Sequence, residues 1–507
     1  MKESSEKAYL ELKESSEDAY KMLKESSEEA YKALKESSDS KFNELQTSSN
    51  AKITELDQTL SQMTKEFNTF KKVAGVTDSD QLENLVKVSM ENDKLKEQLA
   101  DKEQVFRNLE KAKEDIQGLH HQLFKSEITR RQLHNDIQEL KGNVRVYVRV
   151  RPPLGEDEIK GARAQIDCEA DQRLIKIASG EGNKEYPFSF EHVFNQKASQ
   201  ADIFPEVSNL VQSALDGYNV CLFSYGQTGS GKTHTMQGTA SGDHRGIIPR
   251  AIEKILDEAA RLNGSGWNYT LKASFLEIYN EQVRDLLGNG KETQNLPIKL
   301  NTEGNPHVPD LTIESISERS HIDAIMKRAE KHRSVAKTKM NSRSSRSHSV
   351  FTLYLKGENA AEGLCVTGSL NLCDLAGSER LDRSGATGDR LKETQAINKS
   401  LSCIADVFNA LSTKASHVPY RNSKLTHLLQ QCFSSQGKSL MFVNLSPTAE
   451  SSAESLCSLR FAAKVNNTEL GNPNKQVRNI KRTSTAVSSE SSSAPTKKAK
   501  VTRASKK

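Results

Sequence analysis

The first 140 residues contain no proline and only two glycines, Gly75 and Gly118. With nothing to break a helix and almost nothing that reaches positive φ at low cost, so long a stretch can fold as little other than α-helix. Its apolar residues say which kind. The sequence starts as an eleven-residue repeat (KESSEKAYLEL, KESSEDAYKML, KESSEEAYKAL, KESSDSKFNEL, QTSSNAKITEL), and Tyr9/Leu12, Tyr20/Leu23, Tyr31/Leu34, Phe42/Leu45 and Ile53/Leu56 fall on one stripe. Such a period is about 3.67 residues per turn and predicts a straight or slightly right-handed supercoil; this first coiled coil is assigned to 1–76. Residues 1–50 hold 12 acidic and 8 basic side chains, the solvated face of a coiled coil and a poor binder of an acidic polymer. Val73-Ala74-Gly75-Val76 breaks the pattern and Thr77-Asp78-Ser79-Asp80 offers new caps, so a hinge is expected there. Across 77–141 the spacing becomes heptad: Ile116, Leu119, Leu123, Ser126, Arg130, Leu133, Ile137 and Leu140 alternate by three and four. A striped helix needs a partner, so a coiled-coil dimer is expected, most simply of two identical chains. At 1.5 Å per residue its rod would reach roughly 200 Å.

Glycine, proline and alternating β patterns appear abruptly at residue 142 and continue to 468. Residues 142–468 read as an α/β domain long enough to bury a large core. Residues 469–507, rich in Ser, Thr, Lys and Asn, read as a disordered basic tail. Apolar residues make up 35% of the chain and charged residues 27%, which fits a globular unit diluted by a solvated one. A formal charge of +5 gives no global field for nucleic acid, and no specific nucleic-acid partner is expected. No apolar run of about 18 residues is present, so no membrane span is expected, and a charged start argues against a secretory leader. Seven scattered cysteines without a C-x-x-C pair indicate a reducing compartment such as the cytoplasm.

The chemistry concentrates in three segments. Asn219–Tyr225 is an apolar β run leading into Gly226-Gln227-Thr228-Gly229-Ser230-Gly231-Lys232-Thr233, followed by His234-Thr235-Met236. This is G-x-x-x-x-G-K-[ST] between a strand and a helix, where glycines let backbone N–H groups close around phosphate oxygens. Lys232 would reach the β/γ-phosphates and Thr233 would ligate Mg²⁺. A second strand, Ser369–Cys373, ends in Asp374-Leu375-Ala376-Gly377-Ser378-Glu379-Arg380. Its Asp374 is placed to hold Mg²⁺ and Gly377 to offer an N–H to the γ-phosphate. Between them, Asn341-Ser342-Arg343-Ser344-Ser345-Arg346-Ser347-His348-Ser349 has the hydroxyl and guanidinium density that suits a loop around a triphosphate. The Asn-Lys of Asn398-Lys399-Ser400-Leu401 lacks the Asp with which GTPases read guanine, so ATP is the expected nucleotide.

In this order, G-Q-T-G-S-G-K-T-H-T-M, N-x-x-S-S-R-S-H and D-L-A-G-S-E-R resemble the nucleotide loop and two switches of the kinesin motor domain. Arg149-Val150-Arg151-Pro152 and His417–Thr426 add to the likeness, which covers about 142–468. The position of this domain after the coiled coil resembles the C-terminal-motor (fourteenth) kinesin family, which implies movement toward microtubule minus ends. The resemblance implies an α/β P-loop NTPase fold with a central, mostly parallel sheet flanked by helices. It places Arg149, Arg151, Pro152 and His234 at the adenine and Asn341, Ser344 and Ser345 on the phosphates, with Ser345 also at the metal. It pairs Arg346 with Glu379 to orient the attacking water. Arg380, Lys392, Arg421 and Lys424, with Lys399, Arg383 and Arg390, would face acidic tubulin. Pro495–Val501 is similar to a nuclear localisation signal, with a non-specific basic tether on the acidic microtubule surface as the equal alternative. The implied activity is an ATP-driven motor on microtubules of the cytoplasm or spindle, and a hydrolysis-deficient crosslinker is the alternative.

Overall fold

The computed structural model describes residues 40, 44, 46–48, 50–66, 69, 78–155, 166–179, 184–239, 242–288, 295–335, 345–380, 389–434, 437–468 and 477–479. The first repeats, the hinge before Asp78, Asn341, Ser344, Arg383 and most of the tail lie outside them.

Residues 50–66 are helical, and a second helix, α1 (Asp78–Leu140), runs for 63 residues. Lys52 pairs with Asp101 at 3.0 Å across 49 residues of sequence. The first helix therefore lies back alongside α1 instead of extending it, which corrects the expected continuous rod. α1 has two faces at its end. Glu127, Arg131, His134, Asn135 and Gln138 are buried against the globular domain, whereas Leu133 and Leu140 of the heptad seam stay exposed.

The elements that follow are β1 (Val144–Val150), β2 (Ile166–Cys168), β3 (Leu174–Ser179), β4 (Lys184–Ser189), β5 (His192–Phe194), α2 (Gln200–Leu215), β6 (Asn219–Tyr225), α3 (Lys232–Met236) and α4 (Ile247–Asn263). Next come β7 (Trp267–Tyr279), β8 (Gln282–Asp285), β9 (Lys299–Leu300), β10 (Pro306–His307), β11 (Glu314–Ser315), α5 (Arg319–Val335), β12 (His348–Asn359) and β13 (Leu364–Asp374). The series ends with α6 (Asp389–Ser412), α7 (Lys424–Leu428), β14 (Gly437–Leu445), α8 (Ser452–Asn466) and β15 (Val477–Asn479). The main sheet has the order β11-β7-β12-β13-β6-β14-β1-β5. From β13 to β5 neighbouring strands are parallel, and β12 joins antiparallel to β13 and β7. Parallel strands are covered on both faces, so β1 and β14 are buried along their whole length and β6 through its first six residues. One face packs on α6, α7 and α8 through Ile397, Leu425 and Leu459; the other packs on α2, α4 and α5 through Val207, Ile252 and Ile325.

α1 enters this sheet through a fixed joint. Gly142, at φ 89°, ends the helix in the left-handed region that glycine tolerates. Arg145 of β1 then donates to the carbonyls of Gln138 and Gly142, at 2.9 and 3.0 Å, satisfying orphan groups of the last turn. Higher up, Glu127 accepts from Arg130 and Arg131, and Arg130 also reaches Asp216 at 2.7 Å. Burial works against ionised Asp216, but Arg130 and Arg131 outweigh it and hold its carboxyl well below the usual range. Lys438 of β14 donates to Asn135 at 2.8 Å. Trp267 lies beneath Arg131 at 4.3 Å and stacks with Phe124 at 6.4 Å.

The tail is not wholly without structure: Val477–Asn479 pairs antiparallel with Leu364–Val366. β6 meets β13 only from Ser369 onward, so the first residues of β13 present an open backbone edge on that side, which β15 occupies.

Candidate functional site

The site forms where the carboxyl ends of β6 and β13 meet, the position at which open α/β sheets bind ligands. β6 is buried through its first six residues and releases the chain at Gly226. The loop turns through Gly226, Gly229 and Gly231 at φ 147°, 78° and 97°, and a Cβ on Gly226 would collide with the carbonyl oxygen of Asn444. α3 follows at once, so Lys232 and Thr233 share its first turn.

Lys232 is buried, and its Nζ donates to the carbonyls of Gly226 and Gln227, both at 2.9 Å. Burial pushes its pKa below the usual lysine range, while Asp374 and Glu379 resist that shift. A desolvated ammonium held by carbonyl dipoles gains most from a full negative charge, which a phosphate supplies. Thr233 Oγ1 donates to Asp374 Oδ2 at 2.7 Å, and Ser224 Oγ to Asp374 Oδ1 at 3.3 Å. A hydroxyl beside a carboxylate is a hard oxygen pair that suits Mg²⁺. Ser230 Oγ is buried without a hydrogen-bond partner among the described residues. A cavity of about 400 Å³ opens over this loop, lined by Arg149, Arg151, Pro152, Thr228 to Thr235, Ser345 and Asn444. These features fit a nucleotide and its metal.

Arg151 reaches Gly229 O at 2.7 Å and Ser446 at 3.1 Å, bracing the loop beside Pro152. Leu154, which the sequence reading missed, adds an exposed apolar wall. Gly377 donates its N–H to Ser345 O at 2.8 Å, and Ser378 to Gly226 O at 3.1 Å, so both expected switch segments touch the phosphate loop's neighbourhood. A Cβ on Gly377 would meet the Glu379 carboxylate and Thr228 Oγ1.

The expected Arg346–Glu379 pair is not made here. Glu379 accepts from the N–H and hydroxyl of Thr228, at 2.9 and 2.6 Å, and Arg346 pairs with Glu393 of α6 at 3.0 Å. Each charge is satisfied by a nearer partner.

His348 closes the N-x-x-S-S-R-S-H motif, whose sequence assigns it no role. Its Nδ1 accepts from the Ala376 N–H at 3.1 Å, which leaves Nε2–H to donate to Ser400 Oγ at 2.7 Å; Ser400 in turn donates to Ile397 O. Burial, then Lys232, lowers its pKa to about 3, so the ring stays neutral. One imidazole thus joins both switch segments to α6. No local signal marks Ser400 on α6, because its partner comes from the distant strand β12.

Lys392 and Lys399 are exposed on α6, and Arg421 is exposed just before α7, which packs on α6. Lys424 is half-buried and opens α7 with its N–H on Glu281 Oε2. Exposed Arg380 donates to Cys457 Sγ at 3.0 Å. The side chains of Arg383 and Arg390 lie outside the described residues. No helix among the described residues is long and apolar enough to cross a membrane.

Residues 149–468 match the kinesin motor domain family model. The chain is 50% identical over 400 residues to Kinesin-like protein KIN-14N of Oryza sativa subsp. japonica, covering 76% of this chain and 52% of that protein. It is also 50% identical to Carboxy-terminal kinesin 2 of Xenopus laevis over 356 residues, 68% of this chain and 55% of that one. The chain spans about half the length of these relatives. Among solved structures, the C-terminal motor and motor homology domain of Kar3Vik1 fused to a synthetic heterodimeric coiled coil superposes with a TM-score of 0.64 at 40% identity. That match covers 77% of this chain and all of the other.

Proposed function

The chain belongs to the kinesin family, in its fourteenth class, and on that premise we propose that it is an ATP-driven, minus-end-directed motor that moves along or crosslinks microtubules. The observation that carries the chemistry is the meeting of Lys232, Thr233, Asp374 and Glu379 around one glycine-rich turn.

Bound ATP and Mg²⁺ supply the transferable phosphoryl group and the metal charge. Lys232 holds the β/γ-phosphates, the loop N–H groups cradle them, and Thr233 with Asp374 holds the metal side. Ser345 lines the cavity beside the phosphates, the resemblance assigns Asn341 and Ser344 to them as well, and Gly377 would present its N–H to the terminal one on leaving Ser345 O. Glu379, once paired with Arg346, orients the attacking water. Phosphoryl transfer asks mainly for such positioning and charge stabilisation.

Arg380, Lys392, Lys399, Arg421 and Lys424 meet the acidic microtubule surface, which makes binding salt-sensitive. Two identical chains pair through the exposed α1 seam at Leu133 and Leu140. Because Arg145, Lys438 and the Glu127–Arg131–Asp216 cluster clamp the end of α1 to the motor, the helix swings with it as a lever. The setting is the cytoplasmic cytoskeleton and spindle.

Steady-state ATPase with and without microtubules tests the enzyme. Stimulation by an order of magnitude or more is expected, and none would leave the crosslinking reading. Gliding of polarity-marked microtubules tests direction: filaments must move with their plus ends leading.

A further inference from the structure

We infer that Gln200 is the positioning residue of the nucleotide's base slot, tying His234 to Arg149 and to the loop that carries His244. The inference rests on the proposed ATP reading and adds to it a residue that governs the base separately from the phosphates.

Gln200 opens α2 and is 3% exposed. Its Oε1 accepts from Arg149 Nη1 at 2.9 Å, and its Nε2 donates to the His234 carbonyl at 2.6 Å. His244 O and His234 Nδ1 each lie 3.4 Å from the same nitrogen. The orientation of this amide is decided by chemistry: a guanidinium only donates and a carbonyl only accepts, so oxygen faces Arg149 and nitrogen faces His234. Turning the amide round would leave both ends repelling their neighbours.

Arg149 makes the bond important. Its guanidinium is buried, and its hydrogen bonds go to neutral acceptors: Gln200 Oε1, Thr235 Oγ1 at 2.9 Å and Ala198 O at 3.5 Å. Burial lowers its pKa to about 10, the mark of a cation short of countercharge. Removing one of its acceptors is therefore costly locally. His234 and His244 rings stand 6.0 Å apart at 55°. The His234 ring lines the cavity. A neutral aromatic ring stacks on a purine by its face. Gln200 touches no residue that holds phosphate by charge: Lys232 bonds to Gly226 and Gln227, and Thr233 to Asp374. Base affinity and phosphate affinity are thus carried by separate groups.

Full-length chains carrying Gln200→Leu and Gln200→Glu, compared with the unchanged chain, provide the test. Binding is read by displacement of a fluorescent ATP analogue with ATP or with inorganic tripolyphosphate, each with Mg²⁺. Gln200→Leu removes both bonds, and Gln200→Glu keeps an acceptor for Arg149 but loses the donor to His234. Both variants should bind ATP roughly tenfold more weakly while tripolyphosphate binds as before, which also shows that the fold survives. Equal weakening of both ligands, or unchanged ATP affinity in both variants, overturns the inference. An unchanged chain that binds neither ligand overturns the ATP reading itself.

Discussion

Glu379 grips Thr228 with both oxygens of its carboxylate, one on the backbone N–H at 2.9 Å and one on the hydroxyl at 2.6 Å. Meanwhile Arg346, its expected partner, is held by Glu393 of α6 at 3.0 Å. The two groups must each give up a partner before they can meet, and one of those partners sits on the helix that carries Lys392 and Lys399.

Glu393→Gln should therefore raise the ATPase rate in the absence of microtubules by about three- to tenfold, since a neutral amide holds a guanidinium less strongly than a carboxylate does. Phosphate release without microtubules checks this. An unchanged basal rate would show that the Arg346–Glu393 pair restrains nothing.

Glu379→Ala should leave ATP binding intact and slow hydrolysis by about 10²–10³-fold, the usual loss when one preorganised polar group leaves a transition state. Rapid-quench measurement of the hydrolysis step decides it; a normal rate constant means that Glu379 does not position water.

For Lys232→Ala, turnover should fall to background. Neither solvent nor a neighbour replaces an ammonium buried beneath the phosphates. Near-normal microtubule-stimulated ATPase in this variant would refute the phosphate site.

Lys438→Leu removes the bond to Asn135 while keeping the bulk of the side chain. ATPase should persist, and gliding should become slow or unbiased because α1 no longer follows the motor. Normal gliding speed toward minus ends would locate the lever's attachment elsewhere. Substituting Gly142 and Asn143 together probes the same joint from its other side.

Acid should loosen both the switch region and the α1 joint. Burial lowers His348 to about 3 and His134 to about 4, with Lys232 adding to the first. His134 faces Asp216, which favours its charge, and Arg130 and Lys438, which oppose it. Both rings are neutral in the fold and become charged in the unfolded chain below about 6.5. Their contribution is complete above that pH and is lost as pH falls toward 4 and 3, at about 1.4 kcal/mol per unit per group. Thermal melts between pH 7 and 4 should show a steady fall in Tm, reduced in His348→Gln; a flat profile contradicts the assignment.

The site was legible where chemistry is written in consecutive residues. Gly226 to Thr233 and Asp374 to Glu379 stand out as candidates because a loop and a strand end carry them entire, and the structure brings the two segments together. Gln200, Ser400 and Asn444 could not be read, since each acquires its role only when a distant element is folded against it. The heptad reading found Leu133 and Leu140 but had no means to see that Arg130 of the same seam docks on Asp216, or that Arg131 and Asn135 beside it meet Tyr269 and Lys438. β15 escaped for a related reason: three residues pair because β13 has an open edge, not because their own sequence demands a strand.

The chain contains a single tryptophan, and it is Trp267, fully buried beneath Arg131 and against Phe124. All indole emission from this protein consequently originates at the seam between α1 and the globular domain. Lifting α1 would wet the ring and withdraw the cation above it, moving its fluorescence toward the red. A swing of α1 as proposed would thus be self-reporting, readable in stopped flow at full length without an attached dye.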